Sequence, residues 1–338
     1  MRIGAIVMRK YGGPEVLKLE PVSLPPLQPH QILLRHTAIG VNFHDVLVRN
    51  GTFRTLTLPG IPGIEAAGIV EEIGAAVTRF KRGDRIAYID EHHGGYSIAR
   101  VIDENLAIAL PDYVSDTLAA AIMTKGLTAQ MLIRQVHPVT KGEYVLVQAA
   151  AGGVGRLVCQ WASYLGAIVI GTVSSEEKAR IASEAGCRHT INYIAENVTL
   201  RIMEITGGRG VNVVYDGVGQ QTFADSLACL GLRGHLISFG QSSGPVEPVR
   251  IPRFPPASFG GNKWDGLGVK SNSLSRPTLY HYMTHQEEYE TMCRELFGML
   301  KSKALRFGEP KRYALSDVAA AHVDMEKQFV SAPAILLP

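Results

Sequence analysis

Residues 149–155 read Ala-Ala-Ala-Gly-Gly-Val-Gly, a spacing that suits a pyrophosphate. Gly152 lets the backbone approach an anion, Gly155 lets the next helix pack closely, and the free N–H groups of that helix start face the charge. The first glycine of the usual G-x-G-x-x-G is Ala150, so the motif is A-x-G-x-x-G. Asn42 is a second candidate, a polar amide able to orient an amide or a ribose hydroxyl; its competing reading is a loop-capping asparagine. His44 and Asp45 stand beside it, but neighbours on a strand or turn diverge, and we do not expect them to act as a pair. Glu65 reads as a structural or ribose-facing carboxylate. No serine or cysteine sits in a nucleophile's context. His92-His93 and His281/His285 fall short of a zinc site on ligand number, and exposed polar positions account for them.

These residues need elements to hold them. Tyr144–Ala149 is a short continuous apolar run, as expected of a strand buried on both faces. Val154, Leu157, Val158, Trp161 and Leu165 then recur at the helical period, Gly166 follows as a helix stop, and Ala167–Thr172 is a second buried strand. The alternation continues with helices over 176–185, 196–206 and 220–230 and strands over 189–193, 211–216 and 235–239, predicting a doubly wound parallel sheet. Before it, short apolar runs (2–8, 31–39, 68–73, 84–88, 96–102) alternate with Gly/Pro clusters and predict a mostly β domain. Residues 116–132 read as a helix leading out of that domain. Residues 241–265 read as a long loop, 267–275 as one further strand, and 287–302 and 316–327 as helices. The expected division is 1–123 for the first segment of a catalytic domain, 124–270 for an inserted dinucleotide domain and 271–338 for the returning segment.

The 338 residues carry a net charge of +3 and are 46% hydrophobic, which gives no reason to expect nucleic-acid or membrane partners. No run approaches a membrane span, and residues 1–10 lack a signal-peptide core. Four scattered cysteines predict free thiols, mostly in cores, and a cytoplasmic location.

Several phrases together resemble the quinone oxidoreductase (zeta-crystallin-like) family of zinc-free medium-chain dehydrogenase/reductases. They are Ala38-Ile-Gly-Val-Asn-Phe43, Gly63-Ile-Glu-Ala-Ala-Gly68, Gly83-Asp84-Arg85, Lys125-Gly-Leu-Thr128, the glycine turn, Asp216-Gly-Val-Gly219, Ser238-Phe-Gly240 and Arg276-Pro277. The resemblance implies a GroES-like, mostly β catalytic domain with an inserted Rossmann domain, NADPH in the cleft, and a homodimer. Carried over by position, Asn42 and Thr128 lie near the nicotinamide and ribose, with Phe43, Leu47, Lys125 and Val218 also at the cofactor. Gly152, Gly153, Val154 and Gly155 meet the pyrophosphate, and Phe239, Gly240, Ser242 and Leu279 close over it. Ser174, Lys178 and Tyr193 match positions that hold the 2′-phosphate. Three residues depart from the family pattern: Leu47 stands for a tyrosine, Ile64 for a threonine, and Gln328 for a basic residue.

The end of the second strand, Thr172-Val-Ser-Ser175, has no carboxylate for a ribose 2′-hydroxyl, so NADPH is expected over NADH. Zinc-dependent relatives carry Cys near Val41-Asn42 and His in place of Ile64; neither ligand is present, and activity without metal is expected. With no metal and no well-placed acid, the site suits an acceptor that spreads its own charge. A quinone is therefore expected, with Leu47 and Phe53 walling a flat apolar pocket. The alternatives are reduction of an enal or enone double bond, or an NADPH-holding binding or structural protein with little turnover.

Overall fold

The computed structural model describes residues 1–249, 267–327 and 332–338. Most of the expected 241–265 loop and the expectation for Gln328 fall outside these residues. The chain divides into two compact units. The first comprises Met1–Leu127, His285–Lys301 and Phe307–Pro338, and the second Thr128–Thr284 and Ser302–Arg306.

In the second unit, parallel strands lie in the order His189–Asn192, Ile168–Val173, Tyr144–Val147, Val211–Asp216, Leu230–Ser238, Ser273–Ser275. Counted along the chain this is 3-2-1-4-5-6, the doubly wound order with its switch point between the first and fourth strands. The strands read as near-continuous Val/Ile/Leu because helices cover both faces. Helix Gly153–Tyr164 buries Leu157, Val158, Trp161 and Ala162, the face its periodicity marked out. Gly166 takes a φ of +88° just past its end. Two expectations need correction. The expected 267–275 strand is a 3-10 turn at Leu267–Val269 followed by a strand only at Ser273–Ser275. That strand pairs with Leu230–Ser238, so the returning segment starts later than residue 271.

In the first unit, the long strand Gln31–Val41 organises a sheet of order Lys311–Ala314, Ala334–Leu337, Gln31–Val41, Glu65–Ile73, Arg85–Ile89, Ala107–Ala109, with Ala99–Asp103 also on the long strand. Arg2–Val7 and Lys18–Ser23 pair separately. Ile6, Met8, Ile32, Leu34, Ile39, Val41, Val70, Ile86, Tyr88, Tyr96 and Leu336 fill one core, with Val318 and Ala321 of the Val318–Glu326 helix. Gln31–Val41 and Arg85–Ile89 are buried along most of their length, so these strands are covered on both faces rather than alternating. The segment after Asn42 is neither strand nor turn: Phe43–Arg49 is a helix with Asn42 at its N-cap. The Asp116–Gln130 helix continues as a wider π turn over Met131–Val136.

Candidate active site

The glycine turn lies at the carboxyl end of strand Tyr144–Val147. Ala149 takes a φ of +52°, the chain turns at Gly152, and the helix opens at Gly153. Gly152 and Gly153 are exposed, Val154 is half-buried, and no acidic side chain occupies the first turn. The N–H groups of Gly153, Val154 and Gly155 have no acceptor within the helix, which leaves positive ends for an anion. A Cβ on Gly155 would lie 2.4 Å from the Ala149 carbonyl oxygen, so only glycine lets helix and turn meet. Ala150 is tolerated because the facing residue is Gly171, where a Cβ would lie 2.5 Å from the Ala150 Cβ and 2.8 Å from the Cys187 Sγ. The methyl group gained at one position is missing from the other.

A hydrogen-bonded chain lies under the turn. The Ala149 N–H donates to Thr172 Oγ1 (3.2 Å), Thr172 Oγ1 donates to Gln148 Oε1 (2.6 Å), and Gln148 Nε2 donates to Ser226 Oγ (2.9 Å). Ser226 Oγ in turn donates to Asp216 Oδ2 (2.7 Å). Asp216 also accepts from the Val218 and Gly219 N–H groups at 2.9 and 3.0 Å, so it shapes the Gly217–Gly219 loop from within. Ser242 N–H donates to the Gly217 carbonyl, and a Cβ on Gly217 would meet the Phe239 ring at 2.8 Å. Val218, Phe239, Gly240 and Ser242 therefore lie together at the ends of the fourth and fifth strands. Leu279 is buried in the turn after Arg276, whose Nη1 donates to the Ser238 carbonyl. Thr128 lies on the Asp116–Gln130 helix.

At the second strand's end, Lys178 Nζ donates to Ser174 Oγ (3.2 Å), and Ser175 caps the helix that carries Lys178. Tyr193 is exposed, and its N–H donates to the Val173 carbonyl at the neighbouring strand's end. Ser174 and Tyr193 thus follow adjacent strand ends, with Lys178 on the helix that Ser175 caps.

The first unit holds a separate buried cluster. Asn42 Nδ2 donates to Glu65 Oε1 (2.6 Å), and Lys125 Nζ donates to Asn42 Oδ1 (2.7 Å). Glu65 Oε2 accepts the Thr124 N–H at 2.7 Å, and Lys125 Nζ lies 3.9 Å from Glu65 Oε1. Burial pushes the Glu65 carboxyl up and the Lys125 ammonium down, each opposed by the other's charge. Asn42 is thus held as a bridge between two ionisable groups, and Glu65 is structural. Phe43 and Leu47 are half-buried on the helix that Asn42 starts.

Sequence reasoning missed a second network. Asp45 is fully buried and accepts from the Asn42 N–H (2.8 Å) and the Tyr96 hydroxyl (3.0 Å). Tyr96 meets His322 Nε2 at 3.0 Å, and Arg49 meets His322 Nδ1 at 3.3 Å and pairs with Glu326. No local pattern announces it, because Tyr96 and His322 lie 226 positions apart. His93 also departs from expectation: it is buried, with its ring stacked on His44 at 5.8 Å, while His92, His281 and His285 are exposed.

Two family models match, the alcohol dehydrogenase GroES-like domain over residues 28–112 and zinc-binding dehydrogenase over residues 153–295. The quinone oxidoreductase of Pseudomonas aeruginosa is 42% identical over 330 residues, covering 97% of each chain. The chain belongs to the zinc-free quinone oxidoreductase family of medium-chain dehydrogenase/reductases. A relative named for a different activity is nearly as similar: the 2-haloacrylate reductase of a Burkholderia species is 40% identical over 340 residues, covering 99% of this chain and 98% of its own. The crystal structure of Escherichia coli quinone oxidoreductase complexed with NADPH superposes with a TM-score of 0.89 at 38% identity, covering 99% of this chain and all of that one. The donor set agrees with the zinc-free branch, since the Lys125 ammonium already sits on Asn42 and repels a cation there. Among the described residues no three His, Cys, Asp or Glu side chains are grouped to hold a metal.

Proposed function

We propose that this protein is an NADPH-dependent quinone oxidoreductase that works on flat conjugated electrophiles without a metal. The observation that carries this reading is the Lys125–Asn42–Glu65 bridge, which spends Asn42 on fixed hydrogen bonds near the position where, by the resemblance, zinc-dependent relatives carry a cysteine ligand. Such a site has no Lewis acid to hold the alkoxide of a simple ketone, so the acceptor must spread its own charge. A quinone spreads it over two oxygens.

The residues fit the cofactor at three points. The cradle at Gly152–Gly155 admits backbone where any Cβ at Gly155 would collide, and its first turn is free of carboxylates. Lys178 and Ser174 offer a cation and a hydroxyl for a 2′-phosphate, with Tyr193 beside them. Asn42 keeps one N–H beyond that spent on Glu65, enough to orient a carboxamide or a ribose hydroxyl. Thr128, Val218, Phe239, Gly240, Ser242 and Leu279 are assigned to the cofactor as well, all in the unit that carries the cradle. Bound there, the reduced nicotinamide supplies the reducing hydrogen; the protein's part is to orient it and to exclude water.

Reduction of a conjugated carbon–carbon double bond is the second reading, favoured by the likeness to 2-haloacrylate reductase. A homodimer in the cytoplasm completes the reading; four buried free thiols agree with a reducing compartment. No helix among the described residues is long and apolar enough to cross a membrane. An acceptor panel with NADPH and NADH tests the assignment. We expect 1,4-benzoquinone or a larger ortho-quinone to support NADPH oxidation, saturated aldehydes to be inert, and metal analysis of untagged protein to find no stoichiometric zinc. Turnover of alkenals with failure of every quinone transfers the assignment to the second reading. Light scattering checks the dimer.

A further inference from the structure

Three buried polar atoms of the first unit lack a hydrogen-bond partner and belong to one cluster: His44 Nδ1, Asp45 Oδ1 and His93 Nδ1. His44 Nδ1 lies 3.8 Å from Asp45 Oδ1, longer than a hydrogen bond but with nothing else paired to either atom. The two residues occupy the second and third positions of helix Phe43–Arg49, so the divergence expected of neighbours on a strand does not apply. Burial favours the protonated form of Asp45, yet the His44 ring, the Asn42 N–H and His322 outweigh it and hold the carboxyl below its ordinary value. A buried carboxylate kept charged, with one oxygen unspent, orients a facing imidazole. The His44 side chain remains 28% exposed, so its ring is not sealed from a ligand or from solvent.

Position in the helix gives the cluster a purpose. The resemblance places a tyrosine where this chain has Leu47, and His44 stands three residues earlier, on the same helix face. The chain lacks the phenol and carries an imidazole one turn away. Phe53, expected in the pocket wall, packs its ring 5.7 Å from that of His44.

We propose that His44 is the proton donor to the reduced acceptor and that Asp45 is its positioning residue. The proposal rests on the quinone reading above. Reduction of a quinone to a hydroquinone by NADPH takes up one proton beyond the hydrogen carried by the cofactor. The N–H bond of the His44 imidazolium breaks, its electron pair stays on the ring, and an O–H bond forms on the acceptor. Solvent restores the proton through the exposed part of the ring. Asp45 faces His44 from its own helix. His93 faces it from the loop after Arg85–Ile89, with Thr55 on His93 Nε2 and the Asp90–Arg100 ion pair behind. Tyr96 and His322 stand on the far side of Asp45, backed by Arg49 and Glu326. Burial holds His93 down at about 4, so at neutral pH it adds no charge and Asp45 is the nearest one.

The test uses His44→Gln and His44→Phe, changes at a partly exposed position, with Asp45→Asn alongside. With NADPH and 1,4-benzoquinone, kcat of the His44 variants should fall by about 10²-fold. The KM for NADPH should hold, and the alkaline limb of the kcat profile should disappear. A second readout needs no cofactor: long-range ¹H–¹⁵N spectra of the free protein should find neutral His44 protonated at Nδ1, with that preference lost in Asp45→Asn. Active native enzyme with an unchanged His44→Gln profile overturns the proposal and leaves the quinone reading standing. Protonation at Nε2 in the free protein overturns the Asp45 pairing whatever the acceptor. Native enzyme that reduces no quinone overturns the functional reading, and the donor role with it.

Discussion

Lys178 reaches back to Ser174 just ahead of its helix, and these are two of the three residues we assign to the 2′-phosphate that distinguishes NADPH from NADH. A charge-assisted hydrogen bond contributes about 1.5–3 kcal/mol, so Lys178→Ala should weaken NADPH by tenfold or more while leaving NADH unchanged, as titrated by nicotinamide fluorescence. Equal losses for both cofactors would sink the assignment. A second expectation concerns Ala150 and Gly171, whose side chains share one methyl-sized space. Gly171→Ala alone should cost about 1–3 kcal/mol by overpacking, and adding Ala150→Gly should recover part of it; denaturant midpoints of the four proteins measure the coupling. Additive losses would mean that Cys187, the other neighbour, sets the limit. The Ala150 departure was legible in the sequence. Its compensation was not, because it takes a strand pairing to bring Gly171 opposite. The same holds at Asn42, whose partners Glu65 and Lys125 are 23 and 83 residues away.

Helices and strands differed in how far they could be read. The Gly153–Tyr164 helix and its flanking strands were legible because a buried parallel strand, a glycine turn and an amphipathic period are all local signals. Helix Phe43–Arg49 was missed: it spans only 7 residues, and its buried side includes Asp45 and Arg49, which no apolar period marks. Those polar positions tie it to helix Val318–Glu326 through His322. Three buried histidines of the first unit, His36 on strand Gln31–Val41, His93 and His322, are pushed by burial down to about 4. An unfolded histidine titrates near about 6.5. Between those values the unfolded chain takes up protons that the folded one refuses, so stability is full above the upper value and drains as pH falls through the window. On the order of 1–3 kcal/mol is at stake for each histidine. Urea midpoints followed by signals from the first unit should fall between about pH 6.5 and pH 4. A flat profile there would contradict burial of the neutral rings.

Along the whole chain, the alternation of helix and strand announced the inserted dinucleotide unit, while the completion of the other unit was hidden. Ala334–Leu337 is four residues long and pairs with Gln31–Val41 on one side and Lys311–Ala314 on the other. A strand so short carries little pattern of its own. Its Ala334, Ile335 and Leu336 are nonetheless wholly buried. Deleting residues 334–338 should therefore strip hydrogen-exchange protection from Gln31–Val41 and leave it intact in Tyr144–Val147 and Val211–Asp216; loss in both units would show that they do not fold apart. The same pairing bears on synthesis. As the polypeptide leaves the ribosome, Gln31–Val41 emerges early, carrying Ile32, Leu34, Ile39 and Val41 that will all be covered. The Ile39–Val41 part of one edge waits for a partner translated after the whole dinucleotide unit has had time to close. Throughout that interval the nascent chain offers the apolar end of that strand with an open edge, the kind of surface that chaperones bind and that neighbouring copies on a polysome can join.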